Sequence, residues 1–202
     1  MSAAVISRRV PRTPPAGERP VISNTQLAMA AVIIAELMMF AGLVGGYLVF
    51  RLRTTVWPPE GLPRLPVVLT ALNTAVLLAS VLPMHAALSR VRADRLPEAG
   101  RAATWAAALG GLFVAIQGFE WVRLVRHGLT LGSSVYGSAF YVLIGCHAVH
   151  VLLAIAFVAG VTVLVRRGRL DADHHAPLEM CATYWYFVVA LWLGLFPLVY
   201  LY

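Results

Sequence analysis

His147 and His150 stand three residues apart within a long apolar run, in the segment Gly145-Cys146-His147-Ala148-Val149-His150-Val151. On a helix that spacing sets both imidazoles on neighbouring positions of one face. An imidazole can ligate a metal or a haem, or carry a proton. Three carboxylic acids, Glu36, Glu120 and Glu179, lie in other apolar runs. An ionisable side chain at mid-bilayer costs roughly 2.5–3.5 kcal/mol on insertion scales, so such groups face the bundle and pair. Two histidines with carboxylates could hold a metal, but the chain has no Glu-x-x-His of the di-iron kind. A bis-histidine haem needs ligands on opposite sides of the ring, normally from different helices. The other histidines, His85, His127, His174 and His175, fall at the ends of apolar runs or between them. A proton path needs polar groups across the whole bilayer, and the second run offers little beyond Asn73, Thr74 and Ser80. The reading that best fits is that His147 and His150 hydrogen-bond to Glu36 or Glu120 and fix helix packing. Glu36, near the middle of its run, stays open between a functional carboxyl and a paired structural one. Glu120 and Glu179, nearer the interfaces, read as structural. Tyr184, Trp185, Tyr186 and Trp192 read as aromatic packing.

The elements that must position these groups follow from composition. The chain has 202 residues, 60% of them hydrophobic and 12% charged, with mean hydropathy +0.78. One soluble core of this size cannot hide so much apolar surface, which makes the chain an integral membrane protein. Five runs are long enough to cross a bilayer as helices: about 26–50, 67–88, 102–122, 136–165 and 177–202. The expected fold is all-α, a five-helix transmembrane bundle over 25–202, preceded by a flexible basic arm over 1–24. Every one of the sixteen basic residues is arginine. Eleven fall in the arm and in the connections after the second and fourth runs, and five on the other side. That asymmetry, with an odd number of spans, puts the N-terminus in the cytoplasm and the C-terminus outside. It also accounts for the net charge of +7 without nucleic acid as a partner. Cys146 and Cys181 lie in apolar runs and read as small hydrophobes. Gly42 and Gly46 form a GxxxG pair, and Ala103, Ala107 and Gly111 line one face of the third span, for close helix contact. No phosphate-binding loop, nucleophile–base set or CxxC is present, so the chain has no catalytic site of its own.

In order, the segments AELMMFAGLVGGYLVFR (35–51), WPPEGLPRLPVVLTALNTAVLLAS (57–80), QGFEW (117–121), YGSAFYVLIGCHAVHV (136–151) and EMCATYWYFVVALWLGLFPLVYLY (179–202) resemble subunit III of the haem–copper terminal oxidases, in its short five-helix form. The family's buried acid of the first span falls on Glu36, that of the third on Glu120, its paired histidines on His147 and His150, and its acid before the last aromatic motif on Glu179. The family's usual Tyr-Trp-His-Phe-Val-Asp is replaced by Tyr184-Trp185-Tyr186-Phe187-Val188-Val189, which points to a divergent branch.

The resemblance implies an accessory subunit of a cytochrome c or quinol oxidase in a bacterial inner membrane. It implies packing on subunits I and II, which hold the haem and copper, and support of proton uptake and aerobic electron transport. This chain would bind no cofactor or metal itself, with phospholipid as the ligand left open. The longer form of the family has two further N-terminal helices that make one arm of a lipid cleft. In the short form a partner would have to supply that arm. Alternatives are a subunit-III-like protein of a nitric oxide reductase system, a free-standing ion-coupled transporter using Glu36, and a membrane metalloenzyme using the histidines and glutamates.

Overall fold

A computed structural model describes residues 23–170 and 175–202 of the chain. The expected arm over 1–24 lies outside the described residues apart from its last two, as does His174. Among the described residues the structure is helical, with no strand. Five helical runs are long and apolar enough to span a membrane: Asn24–Arg53, Val67–Arg92, Leu96–Arg126, Val135–Arg166 and Ala176–Leu201. The first three exceed the predicted spans by about one to three turns, because hydropathy marks the hydrocarbon core whereas the backbone stays helical into the charged flanks; the last two match the prediction closely.

Helix α1 (Asn24–Arg53) starts at a capping box: the Ser23 hydroxyl accepts from the Gln26 N–H, and the Gln26 side chain accepts from the Ser23 N–H. The second span is bent at Ser80 into α2 (Val67–Ala79) and α3 (Val81–Arg92). Pro83 explains the bend, since it cannot donate to the carbonyl four residues back and its ring crowds that position. Helix α4 (Leu96–Arg126) has proline in its first turn, where no intrahelical donor is needed. Helix α5 (Val135–Arg166) is capped by the Ser134 hydroxyl. Helix α6 (Ala176–Phe196) passes into a π-helical turn, Pro197–Leu201, where the ring of Pro197 again removes a donor.

Each long helix turns one seam inward at alternating steps of three and four residues. On α4 the seam is Ala99, Ala103, Ala106, Gly110, Phe113, Gln117, Glu120 and Leu124. The close approach falls on Gly110, where a Cβ would overlap the Trp185 ring; the expected Gly111 has open space. The rotation is set by what the seam must carry, since only this phase also buries Gln117 and Glu120. On α5 the seam runs through Phe140, Ile144, His147, Val151 and Ala154, and on α6 through Cys181, Trp185, Val188, Trp192 and Leu195. Helices α2 to α6 form the packed body, and α1 lies at its edge against α5 and α6. Of its side chains only Phe40 and Tyr47 are buried. Gly42 and Gly46 of the GxxxG pair meet no neighbouring atom and border a shallow groove between α1 and α5.

At one end of the bundle Arg92 of α3 donates to Glu179 of α6, and His175 Nε2 lies 3.2 Å from the same carboxylate. Arg92 is more than half exposed. Replacing it with alanine should therefore cost no more than about 1 kcal/mol, and less in high salt. Thermal melts of the detergent-solubilised protein at two salt concentrations measure this.

Candidate functional site

The acids and histidines separate into one half-buried cluster, one buried cluster and one surface clamp. In the first cluster, Tyr184 of α6 donates its hydroxyl to Glu36 Oε1 of α1 at 3.0 Å. His150 Nε2 of α5 lies 3.8 Å from the same oxygen, too long for a direct hydrogen bond. His150 Nδ1 is 2.7 Å from the Cys146 carbonyl. A carbonyl only accepts, so Nδ1 carries the proton, and a neutral ring presents Nε2 toward Glu36 as an acceptor. Phe40 packs edge-on against His150 and His147 and closes the cluster from α1.

The second cluster lies in the half of the bundle where α4 ends. Glu120 is 1% exposed. Its Oε2 accepts from the Thr70 hydroxyl at 3.0 Å and from Gln117 Nε2 at 3.2 Å. The same Gln117 nitrogen donates to the Tyr200 hydroxyl at 3.1 Å. One helix step away, Asn73 Nδ2 donates to the Phe113 carbonyl at 3.0 Å. A cavity of about 200 Å³ lined by Arg64, Glu120, Arg123 and His127 leads from this cluster to the surface.

The histidine pair is divided between two interfaces. His147 follows the central seam of α5 and stacks on Trp192 of α6, with ring centroids 5.1 Å apart. Neither of its nitrogens has a hydrogen-bond partner among the described residues, so it bonds to neither Glu36 nor Glu120. The expected bond fails because three residues on a helix still turn the side chain by about 60°. That is enough to move His150 off the seam toward α1. Glu179 pairs with Arg92 and His175 at the end of the bundle, away from both clusters.

The aromatic residues do more than fill space. Trp185 Nε1 donates to the Ser80 hydroxyl at 3.1 Å, and so ties α6 to the bend of the second span. Trp192 Nε1 donates to the Thr74 hydroxyl at 2.9 Å. The buried partners Thr70, Gln117, Asn73 and Tyr200 were not singled out from the sequence as a group. Gln117 sits one helical step before Glu120 on the seam of α4, which is the signal that could have found it. Tyr186, in place of the family's usual histidine, has a hydroxyl without a partner among the described residues, and Val189 is buried in the core. Among the described residues no three His, Cys, Asp or Glu side chains are grouped as a metal would require.

A family model described as cytochrome c oxidase subunit III matches residues 16–202, nearly the whole chain and every element of both clusters. The chain belongs to the cytochrome c oxidase subunit III family. It is 32% identical to cytochrome c oxidase subunit 3 of Thermostichus vulcanus, over 87% of this chain and 86% of that one. It is 34% identical to the subunit 3 of a Synechocystis species, over 84% of this chain and 72% of the relative. With that of Petromyzon marinus it shares 33% identity, over 90% of this chain and 70% of the relative. The nitric oxide reductase and transporter readings find no support among these relatives. With five spans, this subunit III family member is a multi-pass membrane protein.

Proposed function

We propose that the chain is the accessory subunit III of a respiratory haem–copper oxidase, seated beside subunits I and II, which hold the haem and copper. The observation that carries this reading is the family match over 16–202, which takes in Glu36, Glu120 and the histidine pair together. The chain sits in a bacterial cytoplasmic membrane with its N-terminus inside, as the eleven-to-five arginine asymmetry supports. It forms one domain over 25–202. Its chemistry is positional. Glu36, Tyr184 and His150 hold α1 to α5 and α6. Glu120, Thr70, Gln117 and Tyr200 hold the second and third spans to the end of the last. Glu179 closes α6 onto α3. The bundle so braced shields and positions subunit I near its proton entrance and prolongs turnover.

An affinity tag on this chain should draw from membranes a complex with haem absorption and oxygen consumption. Recovery of the chain alone, active as a carrier in vesicles, would refute the proposal. Within the complex, Glu36→Ala removes the acceptor that holds Tyr184. It should shorten the working life of the oxidase, or its yield, several-fold. Tyr184→Phe loses one intramembrane hydrogen bond, about 0.6 kcal/mol on average, and should have a smaller effect. Turnover followed to inactivation compares the two.

A further inference from the structure

Four arginines gather at the end of the bundle where α3 turns into α4: Arg90, Arg92, Arg95 and Arg101. The acids beside them are fewer, and the hydrogen bonds show which cations are satisfied. Arg92 donates to Glu179. Arg95 takes both oxygens of Glu98, through Nε at 2.9 Å and Nη2 at 2.7 Å. Arg90 is left with its Nε 3.6 Å from Glu98, beyond hydrogen-bond reach. Arg101 is exposed and has no acidic partner among the described residues. The remaining acid of the turn, Asp94, is exposed and pairs with neither of them.

Arg90 and Arg101 line one open groove of about 470 Å³ between α3 and α4. The lining changes character along its length. Pro83 lies seven residues before Arg90, and Leu109 eight after Arg101, which sets both about 10–12 Å farther along their helices. Trp105, one turn inward of Arg101, also lines the groove and is 66% exposed. A tryptophan just inside an arginine suits the headgroup level of a bilayer. The groove therefore runs from a cationic mouth at the interface to an apolar stretch in hydrocarbon. An apolar protein surface would match the stretch and bring no counter-ion to the mouth. A phospholipid of net negative charge matches both. Its phosphate oxygens suit the guanidinium donors, and its acyl chain suits the rest.

We propose that the groove between α3 and α4 binds one anionic phospholipid, with its phosphate on Arg90 and Arg101 and an acyl chain along Trp105, Leu109 and Pro83. The site is built from two helices of this chain, so no partner has to supply a second arm. It goes beyond the oxidase assignment and is tested on the chain without partner subunits.

The test is native mass spectrometry of the full chain after incubation in detergent with equal amounts of dioleoyl phosphatidylglycerol and dioleoyl phosphatidylcholine. One phosphatidylglycerol should be retained in preference, by roughly five-fold per arginine and up to about thirty-fold for the pair. Arg90→Gln with Arg101→Gln should bring the ratio near one. Glu98 keeps Arg95 in that variant, so helicity by circular dichroism should not change. If the pair lowers helicity, the single variants carry the reading, each losing about five-fold. Arg53→Gln with Arg126→Gln removes the same charge from the other end of the bundle and should leave the ratio intact. Excess inorganic phosphate should not displace the lipid; displacement would mean a site for a free anion and would overturn the proposal. Equal retention of the two lipids by the unsubstituted chain would also overturn it, as when a neighbouring protein fills the groove. So would a preference that survives the loss of Arg90 and Arg101, or one that falls as far in the Arg53 and Arg126 control.

Discussion

Gly110→Ala should lower the melting temperature of the protein sharply, and Gly110→Val should prevent a stable fold. A Cβ at position 110 overlaps Trp185 Cη2 and comes within 3.0 Å of Cζ2 and 3.3 Å of Ile155 Cγ1. The indole cannot retreat. It is 1% exposed, and its Nε1 is held by Ser80 at the bend of the second span. Overpacking of a filled core costs typically about 1–3 kcal/mol, and more where nothing can move. Gly111→Ala is the control. It meets no atom within 4 Å, and alanine's helix propensity should make it neutral or slightly stabilising. Helicity followed by circular dichroism through a thermal melt reads both. Equal damage at positions 110 and 111 would contradict the rotation of α4.

Trp192→Ala should be as damaging for the opposite reason. The indole packs edge-on against Phe113 with centroids 5.1 Å apart, stacks on His147 and touches Phe196 and Tyr200. Truncating a buried tryptophan costs about 3–5 kcal/mol in soluble cores. Between helices in lipid the solvent-transfer part is weak, but dispersion and the cavity remain, which points to the lower end, about 3 kcal/mol. Trp192→Phe keeps most of the contact and gives up the donor to Thr74, whose hydroxyl is already engaged with the Thr70 carbonyl. Its cost should be about 1 kcal/mol. Denaturation of the three proteins in mixed micelles orders them, and phenylalanine as harmful as alanine would mean that the hydrogen bond, not the ring, holds α6.

The spans were legible because length and apolarity suffice to define a helix in lipid. The family was legible because five weak motifs recur in order. The bend at Ser80 was visible in Pro83, yet a hydropathy run reads straight through a proline that lipid tolerates. The partners of the polar residues were harder. Helices apolar on every side have no amphipathic stripe to give their rotation, so His147 and His150 looked equivalent although the fold sends one to α6 and the other to α1. Tyr184 looked like packing because its hydroxyl partner, Glu36, lies 148 residues away. Gln117 and Glu120 could have been paired on spacing alone; Thr70, which donates to Glu120, and Tyr200, which accepts from Gln117, come from other spans and needed the fold.

The edge position of α1 bears on how the protein is made. Among the described helices α1 is made before the others, yet it packs on α5 and α6, the last of them to be made. At about 5–20 residues per second, the 148 residues between Glu36 and Tyr184 take roughly 7–30 s to translate. Until His150 is made the Glu36 carboxyl has neither of its two neighbours, and Tyr184 comes later still, so a helix bearing an acid at mid-bilayer must wait in the membrane or beside an insertion factor.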